Sequence, residues 1–270
     1  MSYEWKNKVV IITGAASGIG EKVVRCLLQE DVKHISVLDV NEKAGVALQN
    51  ELNSKYGANK IKFYKCDVTK DDQLFGAFAS VKDDQGYLDV LINNAGIMND
   101  SLPVYKKEIE INVTALVSGT LKALEIMRKD GGGRGGTVIN ISSVAGLTKM
   151  PMMPIYWATK AAVLQFSNCI GHDDYHARTG VRLLSICFGA TETALLTKLA
   201  TFDKQMNDVL EQTCRKYPVQ SAESAARGLI DAYKNGVSGS IWLVNNNKPA
   251  LDISDRYNKF YDDMMALVFQ

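Results

Sequence analysis

Short apolar runs alternate along the chain with longer segments whose apolar residues recur at helical spacing. The runs cover residues 8–13, 34–39, 60–67, 90–94, 136–143, 182–188 and 240–244, each the length of a β-strand. Several are continuously apolar, the pattern of strands buried on both faces of a parallel sheet. The intervening periodicity predicts helices at about 19–30, 42–56, 71–84, 104–129, 155–178 and 222–235. Such alternation requires crossover connections and predicts an α/β fold: a doubly wound, seven-stranded parallel sheet with helices on both faces. No linker divides the chain, so residues 1–270 are expected to form a single domain. The stretch 190–218 breaks the alternation as an insertion, the kind of segment that acts as a mobile lid. The tail, 248–270, carries Tyr257, Phe260, Tyr261, Met264, Leu267 and Val268 at helical spacing. It is expected to cap a substrate pocket, to meet a partner subunit or to pack on its own domain.

Composition narrows the class. Lys plus Arg is 31 against 30 for Asp plus Glu, a net charge of +1. That balance argues against nucleic acid as a partner and against a polybasic membrane anchor. No apolar stretch approaches the roughly 18 residues of a membrane span. Residues 1–8 lack the apolar core of a secretory signal. The five cysteines, Cys26, Cys66, Cys169, Cys187 and Cys214, contain no CxxC pair and read as reduced thiols, so the expected location is cytoplasmic.

Candidate chemistry lies at the predicted carboxyl ends of the strands, where open α/β sheets bind ligands. After the first strand comes Thr13-Gly14-Ala15-Ala16-Ser17-Gly18-Ile19-Gly20. Glycines there allow a tight turn and close approach of a pyrophosphate to a helix N-terminus. Asp39 ends the second strand nineteen residues after Gly20. Its carboxylate suits the two adenosine ribose hydroxyls and repels a 2′-phosphate, and Val40 and Asn41 supply no cation for one, which favours NAD. Asp67 and Val68, ending the third strand, are expected at the adenine. Asn94, Ala95 and Gly96, ending the fourth, would let a cofactor lie close, or the Asn side chains would cap the sheet end.

Tyr156 and Lys160 share a helix face at i, i+4, and Ser143 ends the strand before them. Ser142 should point to the opposite side of that strand. Taken with Asn112 and the glycine turn, these residues resemble the short-chain dehydrogenase/reductase family from Val9 to about Val244. Within it the chain is similar to NAD-linked 15-hydroxyprostaglandin dehydrogenase-like members and insect alcohol dehydrogenase relatives. The resemblance implies a Rossmann-type fold and an NAD-dependent oxidoreductase that interconverts an alcohol and its ketone or aldehyde. It implies Tyr156 as acid/base, Ser143 holding the substrate oxygen, and Lys160 on the nicotinamide ribose, lowering the Tyr156 pKa. Asn112, in a kinked stretch of helix, would anchor a water. Gly189, Thr191 and Thr193 would lie along the nicotinamide. Where the family has Pro-Gly, this chain has Phe188-Gly189. The resemblance also implies a homodimer or homotetramer.

Leu147, Met150, Met153 and Leu195 are expected to line the substrate side. Methionine-rich walls adapt to varied apolar shapes, which suits a lipophilic isoprenoid, steroid, fatty or prostaglandin-like substrate. His172 and His176 stand at i, i+4 in the predicted 155–178 helix, but with no HExxH and no third ligand the expectation is no metal. Two alternatives remain: a non-catalytic NAD-binding protein on this fold, and a sugar-nucleotide epimerase, which usually has another glycine spacing and a larger C-terminal domain.

Overall fold

A computed structural model describes residues 3–197, 199–214 and 217–269. One sheet runs through it in the order β3-β2-β1-β4-β5-β6-β7-β8. Its strands are β1 (Val9–Thr13), β2 (His34–Asp39), β3 (Ile61–Lys65), β4 (Val90–Asn93), β5 (Gly136–Ser143), β6 (Val181–Phe188), β7 (Ile241–Val244) and β8 (Leu251–Asp252). The first seven are parallel, and β8 runs antiparallel to β7. The sheet therefore has eight strands, not the expected seven. Asn246 and Asn247, both at positive φ (58° and 55°), reverse the chain before this two-residue strand. A strand that short leaves no periodicity to read.

The helices are α1 (Gly18–Gln29), α2 (Glu42–Tyr56), α3 (Asp71–Gln85), α4 (Tyr105–Ile109), α5 (Leu116–Met127), α6 (Pro154–Ile170), α7 (Asp173–Thr179), α8 (Gln205–Cys214), α9 (Ala222–Asn235) and α10 (Ser254–Val268). The long helix expected at 104–129 holds a π-helical turn at Glu110–Ala115, between α4 and α5, with Asn112 inside it. The helix expected at 155–178 breaks at Gly171–His172. His172 lies outside the helix as the N-cap of α7, its ring accepting from the Asp174 N–H at 3.3 Å. Its i, i+4 pairing with His176 on one helix face therefore does not exist.

Two apolar layers sandwich the sheet. One packs Val23, Val24 and Leu27 of α1 and Leu229 of α9 against Val10, Ile12 and Ile139; the other packs Phe78 of α3 and Ala123 of α5 against Ile11, Leu91 and Val138. Because strands alternate their side chains, β1 feeds both layers, and all five of its residues are buried. A polar ladder crosses the second layer. Asn93 Nδ2 donates to Asn140 Oδ1 (2.9 Å) and Thr120 Oγ1 (3.0 Å), and Asn140 Nδ2 donates to Ser167 Oγ (2.9 Å). These satisfied bonds fix β4 and β5 against α5 and α6. They thereby set the strand ends from which the site is built.

Cys26, Cys66, Cys169 and Cys187 are free thiols, while the Cys214 side chain lies outside the described residues. Among those residues, no helix is long and apolar enough to cross a membrane.

Candidate active site

A cleft of about 1110 Å³ opens along the carboxyl ends of the strands. Gly14 and Gly18 form its glycine turn at φ 63° and 58°, in the left-handed region where side chains are strained. A Cβ on Gly14 would lie 2.8 Å from the Ala95 Cα. Thr13 clamps this approach, its hydroxyl accepting from the Asn94 and Ala95 N–H groups at 3.1 and 3.0 Å. Asn94 Nδ2 donates to the Thr13 and Gly14 carbonyls, both at 3.0 Å. Its amide therefore holds the turn, as the sheet-end alternative expected, while the residue still faces the cleft.

Gly20 does not reach the cleft. It packs under the turn, where a Cβ would meet the Gly14 carbonyl at 2.5 Å and Asn94 Nδ2 at 2.8 Å. Gly20→Ala should therefore lower unfolding stability by about 1–3 kcal/mol; chemical denaturation measures it, and an unchanged midpoint would refute this packing.

Ser17, Gly18 and Ile19 line the cleft at the start of α1, where the N–H groups of a helix lack intrahelical partners. Asp39 receives the Ala16 N–H on Oδ2 (3.0 Å) and the Asn41 N–H on Oδ1 (2.9 Å), which fixes its carboxylate at the cleft edge. Asp67 and Val68 line the next stretch. Lys107, which the sequence did not single out, reaches Asp67 at 3.2 Å. Burial raises the Asp67 pKa, but hydrogen bonds from Thr69 and Lys107 outweigh it and hold the carboxyl below its usual range. The strand ends thus place a helix N-terminus, a tight glycine turn and a fixed carboxylate along one side of the cleft.

Ser143, Tyr156 and Lys160 meet at the centre of this cleft. Ser143 Oγ accepts from the Ala145 N–H (3.1 Å) and donates to the Phe188 carbonyl (3.2 Å). The adjacent Ser142 donates to the Lys160 carbonyl at 2.8 Å, tying β5 to α6. Lys160 Nζ lies 5.7 Å from the Tyr156 ring centroid and donates to the Ile141 carbonyl at 3.0 Å. Burial pushes the Tyr156 phenol well above its ordinary pKa; its hydrogen bond with Ser143 works against that, and Glu108 adds to it. Burial lowers the Lys160 ammonium to about 8, against opposing pulls from Glu108 and Cys187.

Asn112 is fully buried and does not reach the cleft. Its Oδ1 accepts from the Ile97 N–H (2.9 Å), and its Nδ2 donates to the Ile97 carbonyl (2.9 Å) and Thr159 Oγ1 (3.1 Å). Its amide therefore staples the segment after Gly96 to α6. Gly96 packs closely here, where a Cβ would sit 3.2 Å from Asn112 Oδ1, tighter than ordinary contact.

Phe188 and Gly189 carry the chain past the end of β6 at the cleft, with the Phe188 ring buried in the core. Gly189, Thr191 and Thr193 all line the cleft. The Thr191 hydroxyl is engaged elsewhere, accepting from Gln220 Nε2 at 3.1 Å. Gln220 also accepts from the Glu192 N–H and donates its own N–H to Ala190, both at 2.9 Å. These bonds close the neck of the 190–218 insertion.

On the open side the cleft meets Met98, Met150, Trp157, Leu195, Leu196 and Leu199. Leu147 and Met153, expected in this wall, are not part of it. Leu147 packs towards Leu164, Cys187 and Ile241 beneath Tyr257 of α10. Met153 is completely buried beside Tyr156. Residue spacing cannot show which way a side chain turns after β5 ends in a short 3₁₀ turn. Nor does α10 cap the cleft. It buries none of its residues, and Phe260, Leu267 and Val268 are largely exposed.

The family model for short chain dehydrogenases matches residues 8–204. The chain belongs to the short-chain dehydrogenase family. It is 33% identical to a protein named 15-hydroxyprostaglandin dehydrogenase [NAD(+)] from Homo sapiens, over 90% of this chain and 92% of that one. It is 32% identical to alcohol dehydrogenase 1 of Ceratitis cosyra, over 91% and 93% of the two chains. A solved 3-ketoacyl-(acyl-carrier-protein) reductase from Brucella melitensis, complexed with NADH, superposes with a TM-score of 0.75 at 19% identity, covering 90% of this chain and 98% of that chain. That likeness concerns the fold. The chain is thus a member of an oxidoreductase family acting on CH–OH groups.

Proposed function

We propose that the protein is an NAD-dependent dehydrogenase that interconverts a lipophilic secondary or primary alcohol and its ketone or aldehyde. The carrying observation is the meeting of Ser143, Tyr156 and Lys160 in one cleft whose far end is the glycine turn and Asp39. Ser17, Gly18 and Ile19 would hold the pyrophosphate, Asp39 the adenosine ribose, Asp67 and Val68 the adenine, and Gly189 and Thr193 the nicotinamide end. When bound, the dinucleotide supplies the hydride acceptor for oxidation or donor for reduction. Relatives named as NAD(+) enzymes support the choice of cofactor.

The chain's own residues handle the proton. Ser143 turns its hydroxyl from the Phe188 carbonyl to the substrate oxygen. Tyr156 removes the hydroxyl proton during oxidation and returns it during reduction. An effective base near neutral pH needs a pKa far below the roughly 10 of a free phenol, and burial moves Tyr156 the wrong way. The Lys160 ammonium is the compensating charge. Met98, Met150, Trp157 and Leu199 exclude water and favour an isoprenoid, steroid, fatty or prostaglandin-like substrate over a polar one. Cytoplasmic location and a homodimer or homotetramer complete the reading; light scattering of the purified chain tests the assembly, and a monomer would remove that part.

The direct test follows nicotinamide absorbance with NAD⁺ and NADP⁺ against a panel of lipophilic alcohols. NAD⁺-dependent turnover supports the proposal; tight NAD⁺ binding without turnover on any alcohol favours a non-catalytic binding protein. In the same assay Asp39→Ala should raise KM for NAD⁺ about 10- to 100-fold, since a hydrogen bond to a charged group contributes about 1.5–3 kcal/mol. Equal use of NADP⁺ by the unaltered protein would refute the role given to Asp39.

A further inference from the structure

Two fully buried carboxyl groups, Asp100 and Glu108, stand behind the catalytic helix. Asp100 lies in the segment after Gly96, and Glu108 on α4. Asp100 accepts from the first N–H groups of α6, Ile155 on Oδ2 (2.7 Å) and Tyr156 on Oδ1 (3.0 Å). It caps the helix through the backbone of the catalytic tyrosine itself, where helix N–H groups lack intrahelical partners. The Asp100 backbone N–H donates to the Ala200 carbonyl, inside the 190–218 insertion, at 2.9 Å. One residue therefore touches both α6 and the insertion.

Glu108 supports it from behind. Its Oε1 accepts from the Asn99 N–H at 3.0 Å. Its Oε2 is buried with no N–H or O–H donor among the described residues. The Asp100 carboxyl acts on Glu108 electrostatically, and the two groups shift each other's protonation. Two interacting buried carboxyl groups, one with an oxygen that no donor reaches, do not both stay ionised, so one of them carries a proton. Burial and the Asp100 charge hold Glu108 protonated, up to about 8, and burial also raises Asp100. The proton leaves Glu108 as a neutral donor and Asp100 as the charged cap. That proton withholds from Tyr156 and Lys160 the negative charge with which an ionised Glu108 would raise both of their pKa values.

We infer that Asp100 and Glu108 are a buried pair of positioning residues, holding one proton between them, that sets Tyr156 at the cleft and ties it to the insertion at Ala200. The inference rests on the dehydrogenase reading for its kinetic consequence, and not for its structural one. Neither residue touches substrate or cofactor. Glutamine at 108 reproduces the neutral donor, whereas alanine removes it and leaves Asp100 buried without its partner.

The test compares the unaltered full-length protein with Glu108→Gln and Glu108→Ala. Steady-state kinetics are measured with NAD⁺ and the best alcohol of the panel. Amide hydrogen exchange is followed by mass spectrometry over residues 150–165 and 199–210. Glu108→Ala should lower kcat at least tenfold with KM for NAD⁺ within about twofold, and should speed exchange in both segments. Glu108→Gln should keep kcat within about threefold and exchange at the original rate. Thermal unfolding between pH 5 and 8 adds a proton-specific reading. A carboxyl whose pKa is raised on folding loses stability as pH climbs from its unfolded value towards 8, so Glu108→Gln should gain stability relative to the original over that interval. Indistinguishable exchange in the Ala and Gln variants, or an Ala variant with unaltered kcat, overturns the pair. Should the unaltered protein turn over no alcohol, the dehydrogenase reading fails, and exchange and thermal unfolding still decide the pair.

Discussion

A Tyr156→Phe protein is expected to lose about 10²–10⁴-fold in kcat, the usual contribution of a positioned acid or base. NAD⁺ affinity should stay within about twofold. The substitution removes one oxygen and little else. The Tyr156 ring is buried against Met152, Met153 and Ala145, edge-on to Trp157 at 5.7 Å, and a phenyl ring keeps those contacts. Its backbone N–H still reaches Asp100. Fold, cap and cofactor site therefore persist while the proton carrier is gone. Stopped-flow kinetics beside equilibrium NAD⁺ titration separate the two quantities. Residual turnover above about a tenth of the original would move the acid–base role to another group.

Lys160→Met should act in opposite directions on rate and stability. At an effective dielectric of about 20, one charge about 5–6 Å from the phenolate contributes about 3 kcal/mol to its formation. Losing it should lower kcat by roughly 10²-fold. Stability follows from the ammonium's burial, which lowers its pKa from 10.5 to about 8. Below pH 8 the lysine is charged in both folded and unfolded chains, and the folded state carries the full desolvation cost. Between pH 8 and 10.5 the folded lysine is neutral while the unfolded one remains protonated, so the cost falls as pH rises. Lys160→Met should therefore stabilise the protein by up to about 3 kcal/mol at pH 7, with the gain shrinking above pH 8. Urea unfolding at pH 7 and pH 10 tests this. A destabilised variant at pH 7 would show that the bond to Ile141 outweighs the desolvation. The position illustrates how an active site keeps a group that the fold alone would discard.

Legibility in the sequence followed the range of the interaction. α2 and α9 have the boundaries their patterns give, because local caps write their ends: Asn41 accepts from the Ala44 N–H and Ser221 from the Ser224 N–H. β5 also matches its apolar run. That Ser143, Tyr156 and Lys160 would share one cleft was legible because strand ends and helix faces are periodic, while the roles expected of them came from the family resemblance. Asp100 and Glu108 were not. Nothing near them in sequence marks a carboxyl that caps a helix more than fifty residues away. The break after Ile170 was hidden because residues 173–179 resume helical spacing beyond Gly171. Leu147 was misplaced for a related reason: pattern gives the face of a regular element but not the direction of a side chain in a turn.

The Gln220 clamp makes the insertion a detachable unit. The chain leaves the sheet framework at Thr191 and returns beside it at Gln220, joined there by parallel backbone bonds. What lies between can change in length or composition without altering strand register, since doubling a loop's length costs only about 0.6 kcal/mol in closure entropy. Exchange of this segment between relatives should therefore move substrate preference as a block. Divergence of the family's alcohols would then need no change in the sheet, the cofactor turn or the proton-handling residues.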